Sequence, residues 1–246
     1  MTMPAIKDNF LSTQNLLGKD QFEQISQSHI CVIGLGGVGS WVVESLVRQG
    51  FGELTLIDMD HLVASNINRQ IQAYEHNVGM SKIRALAERV THINADCKLN
   101  LIDQFLDAAN IETLIHQDMD VVIDAIDQVS VKIELVEYCL RKKINLLMSG
   151  GAGGRTNPSM IQSADLFETF GDPLLAKLRK VLKKRYPTKK RLGIPSVFSN
   201  EQVIKPDLCD DFSNNLSCSG YGSSVMVTAT MGFHLAFEAQ KKILKA

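Results

Sequence analysis

The stretch I-C-V-I-G-L-G-G-V-G, Ile30 to Gly39, is an apolar run that ends in a turn where Gly34, Gly36 and Gly39 keep the G-x-G-x-x-G spacing. Such glycines let the backbone approach a phosphate and aim the amides of the next helix at it. The spacing serves dinucleotides and ATP alike, so residues further along must discriminate. Asp58 lies nineteen positions beyond Gly39, at the end of L-T-L-I-D, where a carboxylate can accept hydrogen bonds from the ribose hydroxyls of either ligand. Arg69 follows in the turn S-N-I-N-R-Q, and Lys82 opens a helix after Gly79. An arginine fork and a lysine point charge around a glycine cradle match the charge of β- and γ-phosphates better than that of a bridging pyrophosphate. Asp124 and Asp127, in V-V-I-D-A-I-D, mark a strand end and its turn. A carboxylate placed there can hold Mg²⁺, which keeps waters and phosphate oxygens among its ligands. Asp127 is the preferred metal ligand.

The elements that must position these residues follow from hydrophobic periodicity. Strands are expected at 30–34, 54–58, near 97–102, at 120–125 and at 144–148, and helices at 38–49, 81–93, near 110–116 and at 130–142. This alternation predicts an α/β fold with a doubly wound, mostly parallel, Rossmann-like sheet. Ligands in such sheets bind beyond the carboxyl ends of the strands, so the glycine turn, Asp58 and the Asp124–Asp127 pair should share one crevice. After Ser149 come a glycine cluster (Gly150, Gly151, Gly153, Gly154), a short strand near 160–163, a basic helix, a polar loop at 206–219 and a last helix over roughly 223–244. No repeat or low-complexity linker intervenes. The expected organisation is a single domain over 1–246, with a nucleotide-binding core at 28–150 and a substrate-binding and helical extension at 151–246 packed on it.

Composition narrows the class. The 246 residues are 45% hydrophobic with a formal net charge of −1, which supports an ordinary core and excludes a global attraction to nucleic acid. A local attraction is available, because nine lysines and arginines and no acid fall between Lys177 and Arg191: Lys177, Arg179, Lys180, Lys183, Lys184, Arg185, Lys189, Lys190 and Arg191. This run reads as a phosphate-backbone footprint, with Tyr186 available for base stacking, or as a solvated helix face. Five cysteines without a C-x-x-C pair fit a reducing cytosol and argue against a disulfide framework. Cys31 and Cys139 are expected in the core, and Cys218 either in packing or near the site. The N-terminus lacks the apolar stretch of a secretory signal. The longest uncharged apolar run, 223–237, is shorter than the roughly 20 residues that cross a bilayer. A cytoplasmic protein without a membrane partner is expected. The glycine cluster can present amides to an anion or carbonyls to a monovalent cation, or simply form a loop.

The motifs G-L-G-G-V-G-S, D-M-D, S-N-I-N-R-Q, Lys82 and D-A-I-D resemble those of the ubiquitin-activating-enzyme-like adenylyltransferases, which activate a carboxylate by attaching AMP. Within that superfamily, S-G-G-A-G-G, L-G-I-P-S-V-F-S and C-S-G-Y-G-S-S-V-M-V-T-A-T-M-G-F resemble the threonylcarbamoyladenosine dehydratase family, from about His29 to the C-terminus. The resemblance implies ATP and Mg²⁺ as cofactors, tRNA as substrate, a homodimer, a cysteine desulfurase or sulfur-acceptor system as a partner, and cyclisation of a threonylcarbamoyl side chain on adenosine. It carries phosphate contacts to Asn66, Arg69 and Lys82 and ribose contact to Asp58. Arg69, Lys82 and Asp127 are the catalytic set, and Gly37, Asp60 and Gln70 join the nucleotide-binding set. With it, the basic run from Lys177 to Arg191 is assigned to tRNA.

Two departures keep other readings in play. The paired C-x-x-C zinc motifs of sister enzymes that serve sulfur-carrier proteins are missing, and so is an arginine before Arg48, where relatives place one to reach a partner's ATP; Lys19 is the nearest substitute. An adenylyltransferase for the C-terminal carboxylate of a small carrier protein, and a catalytically weak ATP- and tRNA-binding paralogue, are the alternatives. A NAD-dependent oxidoreductase is disfavoured by Arg69, Lys82 and the acidic pair.

Overall fold

The computed structural model describes residues 8–204 and 221–245. Two short helices, α1 (Leu11–Leu17) and α2 (Lys19–Gln27), lead into β1 (His29–Ile33), α3 (Gly39–Gln49) and β2 (Glu53–Ile57). A long connection then reaches α4 (Lys82–Ile93), β3 (Lys98–Ile102), the single turn α5 (Ile111–Leu114), β4 (Val121–Asp124), α6 (Val129–Lys142) and β5 (Leu146–Ser149). The remainder adds β6 (Ile161–Asp165), α7 (Pro173–Arg185), β7 (Pro195–Ser199) and α8 (Val225–Ile243).

The strands form one seven-stranded sheet in the order β3-β2-β1-β4-β5-β7-β6, parallel except where β6 runs antiparallel to β7. β1 is flanked by β2 on one side and β4 on the other. Strand order therefore reverses at β1, which opens a crevice at the carboxyl ends of these three strands.

Alternation along each strand divides the core. Ile30, Val32, Leu54, Leu56, Val121 and Ile123 face a layer built from α3, α4 and α8, whereas Cys31, Ile33, Ile57 and Val122 face α5, α6 and α7. Burial on both faces is what a parallel sheet covered by helices requires, and it explains why the strand sequences are continuous apolar runs. Cys31 and Cys139 are free thiols in the second layer, as expected. Burial pushes the Cys139 thiol up to about 12, so it is an inert packing group.

The α/β doubly wound expectation holds, with local differences. The helix expected near 110–116 is only one turn, with Ile111 and Ile115 buried and Leu114 packed beside them against the second core layer. β7 was not anticipated as a strand; proline and two serines hide its pattern, yet Ser196 to Ser199 are all buried between β5 and β6. α1 and α2 were not anticipated either, since α2 buries only Phe22 and Ile25 and α1 buries nothing. Cys209 and Cys218 lie outside the described residues, with all of the polar loop at 206–219. Among the described residues no helix is long and apolar enough to cross a membrane.

Candidate functional site

The glycine turn joins β1 to α3. Gly34 has φ +85°, and a Cβ on Gly39 would stand 1.8 Å from the Gly34 carbonyl oxygen. Only glycine permits this closure, which brings the start of α3 against the strand end. No side chain caps α3; its Ser40 and Trp41 amides already donate to the Gly36 and Val38 carbonyls, which leaves the amides of the glycine turn itself to meet an anion. Above the turn lies a cleft of about 590 Å³, lined by Gly34, Gly36, Gly37, Asp58, Asp60, Asn66, Arg69, Gln70, Lys82 and Asp127. Side chains from the end of β2, its long connection, α4 and the β4 turn thus meet at the strand ends, although of the Asp124–Asp127 pair only Asp127 lines the cleft.

Asp58 locks the floor. Its two carboxylate oxygens accept the amides of Leu35 at 2.6 Å and of Asp60 at 2.8 Å, and each oxygen keeps a lone pair for a ribose hydroxyl. Burial raises the Asp58 carboxyl above its ordinary value, opposed by the nearby Lys82 charge and by those two amides. Lys82, at the first position of α4, is nearly buried and reaches Asp60 Oδ2 at 2.6 Å, while its amide donates to the Asp60 carbonyl. Asp60 is therefore a holder of the lysine as well as a cleft wall. Arg69 donates from Nη1 to the Ser65 carbonyl and to Asn68 Oδ1, and makes no ion pair among the described residues. Its stem lies 3.4 Å from where a Cβ on Gly37 would stand, and its carbonyl accepts the Trp41 indole N–H at 2.9 Å. Asn66 is buried along the cleft and its Oδ1 accepts the Val63 amide at 3.2 Å, which leaves its Nδ2 without a hydrogen bond among the described residues. Gln70 is buried beside it.

Asp127 is exposed on the opposite wall and makes no hydrogen bond or ion pair among the described residues. Asp124 is a different case. It does not line the cleft: its side chain is fully buried, 3.0 Å from Lys132 Nζ, and its Oδ1 accepts the Ile126 amide. Its place is behind the turn that carries Asp127. Gly39 likewise shapes the turn without lining the cleft. The sequence reading missed Lys132, whose position inside an amphipathic helix gives no sign of burial, and Ser149, whose carbonyl accepts the Lys132 ammonium at 3.0 Å. It also missed the buried pair Arg155–Asp172 at 3.1 Å. Asp172 caps α7 and accepts the Gly151 amide, so the glycine cluster is held in a fixed shape, with the Gly150, Gly151 and Gly154 amides already used.

The basic run lies along α7 and the loop after it. Lys177, Lys180, Lys183, Lys184, Lys189 and Lys190 are exposed. Arg185 and Arg191 are exposed but paired with Glu137 and Glu168, and Arg179 is half-buried, donating to Thr169. Tyr186 is not a free stacking platform: it packs against the second core layer with Lys189 across its ring. Lys19 is exposed at the start of α2 and is not among the cleft residues.

Sheet order, the glycine turn and a cleft that gathers Asp58, Arg69 and Lys82 define a nucleotide-binding protein of the adenylate-forming type, and the chain belongs to the ThiF family, whose model matches residues 10–246. It is similar, at 44% identity across all of this chain and 98% of the relative, to the tRNA threonylcarbamoyladenosine dehydratase of Haemophilus influenzae. The Escherichia coli enzyme of the same name is 41% identical over 98% of this chain and 95% of its own. Its crystal structure in complex with ATP superposes with a TM-score of 0.88, covering 96% of this chain and 94% of that one, and the complex with AMP does so equally.

Proposed function

We propose that this chain catalyses the ATP-dependent dehydration of threonylcarbamoyladenosine in tRNA, through an adenylated carboxylate. The single observation that carries the reading is the meeting of Arg69, Lys82 and Asp58 around the glycine turn, in a chain similar over its whole length to dehydratases of that name. The chemistry needs such a cleft. A carboxylate oxygen is a poor leaving group; when it attacks the α-phosphorus of ATP, the bond to the β-phosphate breaks and pyrophosphate departs. An atom of the same side chain then attacks the acyl carbon, and AMP leaves with the former carboxylate oxygen. Atoms amounting to one water are lost from the nucleoside, and no nucleophilic cysteine is required.

In this reading Asp58 orients the ribose, the amides of the glycine turn and Asn66 hold phosphate oxygens, and Gly37 and Gln70 shape the pocket around them. Arg69 and Lys82 neutralise charge growing on the departing pyrophosphate, an electrostatic contribution that commonly dominates such transfers. For Lys82 this requires exchanging Asp60 for phosphate, which the exposed Asp60 carboxylate permits by turning to solvent. Asp127, an unpaired carboxylate on the cleft wall, fits Mg²⁺ carried in by phosphates. No cluster of three acidic, His or Cys ligands occurs among the described residues, so its other ligands would be phosphate oxygens and water. Bound there, the ion would add to the charge neutralisation of the leaving group. A monovalent cation would meet carbonyls of the Gly150–Gly154 turn.

The six exposed lysines on and after α7 are the proposed tRNA surface. The working unit is one domain, with residues 28–150 holding nucleotide and 151–246 facing the substrate. The exposed apolar stripe Met226, Phe233 and Phe237 along α8 supports a homodimer. A cytoplasmic location and a cysteine desulfurase or sulfur-acceptor partner complete the proposal, the latter checked by copurification.

Incubation with ATP, Mg²⁺ and tRNA bearing threonylcarbamoyladenosine, followed by mass measurement of the digested nucleoside, tests the reading. Loss of one water with AMP release is expected. Binding of tRNA and ATP without product would instead favour an inert paralogue, and AMP transfer to a small protein's C-terminus a carrier-protein enzyme.

A further inference from the structure

A second cavity of about 350 Å³ adjoins the ATP cleft and shares a wall with it. Asp127, Gly151, Ala152, Gly153, Leu174 and Ser223 border both spaces. The far side is formed by Pro173, Val203, Tyr221 and Arg155. Its volume falls within the roughly 300–1,000 Å³ of small-molecule sites, and a mostly apolar lining with a few polar groups is the usual make-up of such sites. Arg155 is committed to Asp172, so it stiffens the wall rather than offering a free charge.

The wall is built for close approach. A Cβ on Gly154, at φ +68°, would fall 2.7 Å from Val203 Cγ1, and one on Gly153 would fall 3.2 Å from Tyr221 Cβ. The two backbone bonds Gly154 N–H to the Gly222 carbonyl and Ile204 N–H to the Gly154 carbonyl fasten the segments that carry Tyr221 and Val203 onto this turn. Glycine here sets an aromatic ring and an aliphatic side chain around a space next to the phosphate site.

We propose that this second cavity is the acceptor pocket, taking the threonylcarbamoyl-adenine group of the substrate nucleoside with Tyr221 against the base. The inference rests on the dehydratase reading and adds the place and the recognition element. Three observations converge on it. The acceptor carboxylate has to meet the α-phosphate, and the shared wall at Asp127 and Gly151 is where the two spaces touch. A base flipped out of an RNA loop is held by aromatic and apolar surfaces, which Tyr221, Leu174 and Val203 supply. The pocket also sits at the first turn of α7, whose lysines Lys183 and Lys184 are about 15 Å further along the helix. RNA lying on those lysines can therefore deliver a nucleoside a few positions away.

The test uses the full-length protein saturated with AMP and the free nucleoside N6-threonylcarbamoyladenosine as probe, with binding followed by saturation-transfer NMR and equilibrium dialysis. The nucleoside should bind while AMP stays bound. Tyr221→Ala should weaken it about tenfold, Tyr221→Phe should bind like the parent, and AMP affinity should be unchanged in both, which also establishes that they are folded. Displacement of the nucleoside by AMP, or parent-like binding by Tyr221→Ala, would overturn the pocket. Dehydration of tRNA with the same KM in Tyr221→Ala as in the parent would overturn it too while leaving the dehydratase reading intact. A nucleoside bound beside AMP in a protein that never dehydrates tRNA would support the pocket and sink that reading instead.

Discussion

Asp124 and Lys132 face each other 3.0 Å apart with neither side chain exposed to any degree. Lys132 also donates to the Ser149 carbonyl, and Asp124 accepts the Ile126 amide. One buried pair thereby ties together the ends of β4 and β5 and the turn that presents Asp127, and it braces the wall between the ATP cleft and the neighbouring cavity. Removing one partner would leave a buried charge without compensation. Lys132→Met should therefore lose roughly 3–5 kcal/mol of stability by chemical denaturation, and Asp124→Asn combined with Lys132→Met should recover most of it. A small loss in the single variant would show that the pair is not what braces the turn.

Lys82→Ala and Asp127→Ala are each expected to abolish product formation while tRNA affinity stays largely intact, because both side chains line the nucleotide cleft and neither is on α7. Single-turnover assays with filter binding on the same preparations check this. Unchanged product formation would remove that residue from the mechanism.

Replacing Lys183, Lys184 and Arg185 together should weaken tRNA binding and flatten its salt dependence. Arg185 already pairs with Glu137, so most of the change should come from two lysines and the log–log salt slope should fall by about 1–2. An unaltered slope would relocate the RNA surface.

Glu44 on α3 is buried between Arg89 of α4 and Arg48, at 2.6 and 2.7 Å. Burial alone would raise its carboxyl, but the hydrogen bonds and charges of the two arginines outweigh that and hold it below the ordinary 4.5. A depressed carboxylate contributes stability that is present above its unfolded value and is lost as pH falls through the folded one. Between neutral pH and about 5, Glu44 should add no pH dependence, and below 4.5 the parent should lose stability that Glu44→Gln, already lacking the charge, does not. Denaturant midpoints measured from pH 7 down to pH 3 give the comparison; parallel curves would refute the assignment.

What the sequence determined by itself was the set of local rules: the apolar runs that become β1, β2, β4 and β5, the glycines that alone can close the turn before α3, and the strand-end placement of Asp58 and Asp127. These are legible because period, turn chemistry and order along the chain are encoded in neighbouring residues. Tertiary structure decided the rest. Whether a charged residue lines a cleft or braces the core depends on which element covers it, so the buried Asp124 and Lys132 are distinguished from the cleft-lining Asp127 and Lys82 only once β5 and α6 are packed. β7 is a strand because the sheet supplies two neighbours, not because proline and serine favour one, and Tyr186 is held against the second core layer rather than left free to stack. Long-range burial is a property of the folded assembly of elements, and no window of sequence contains it.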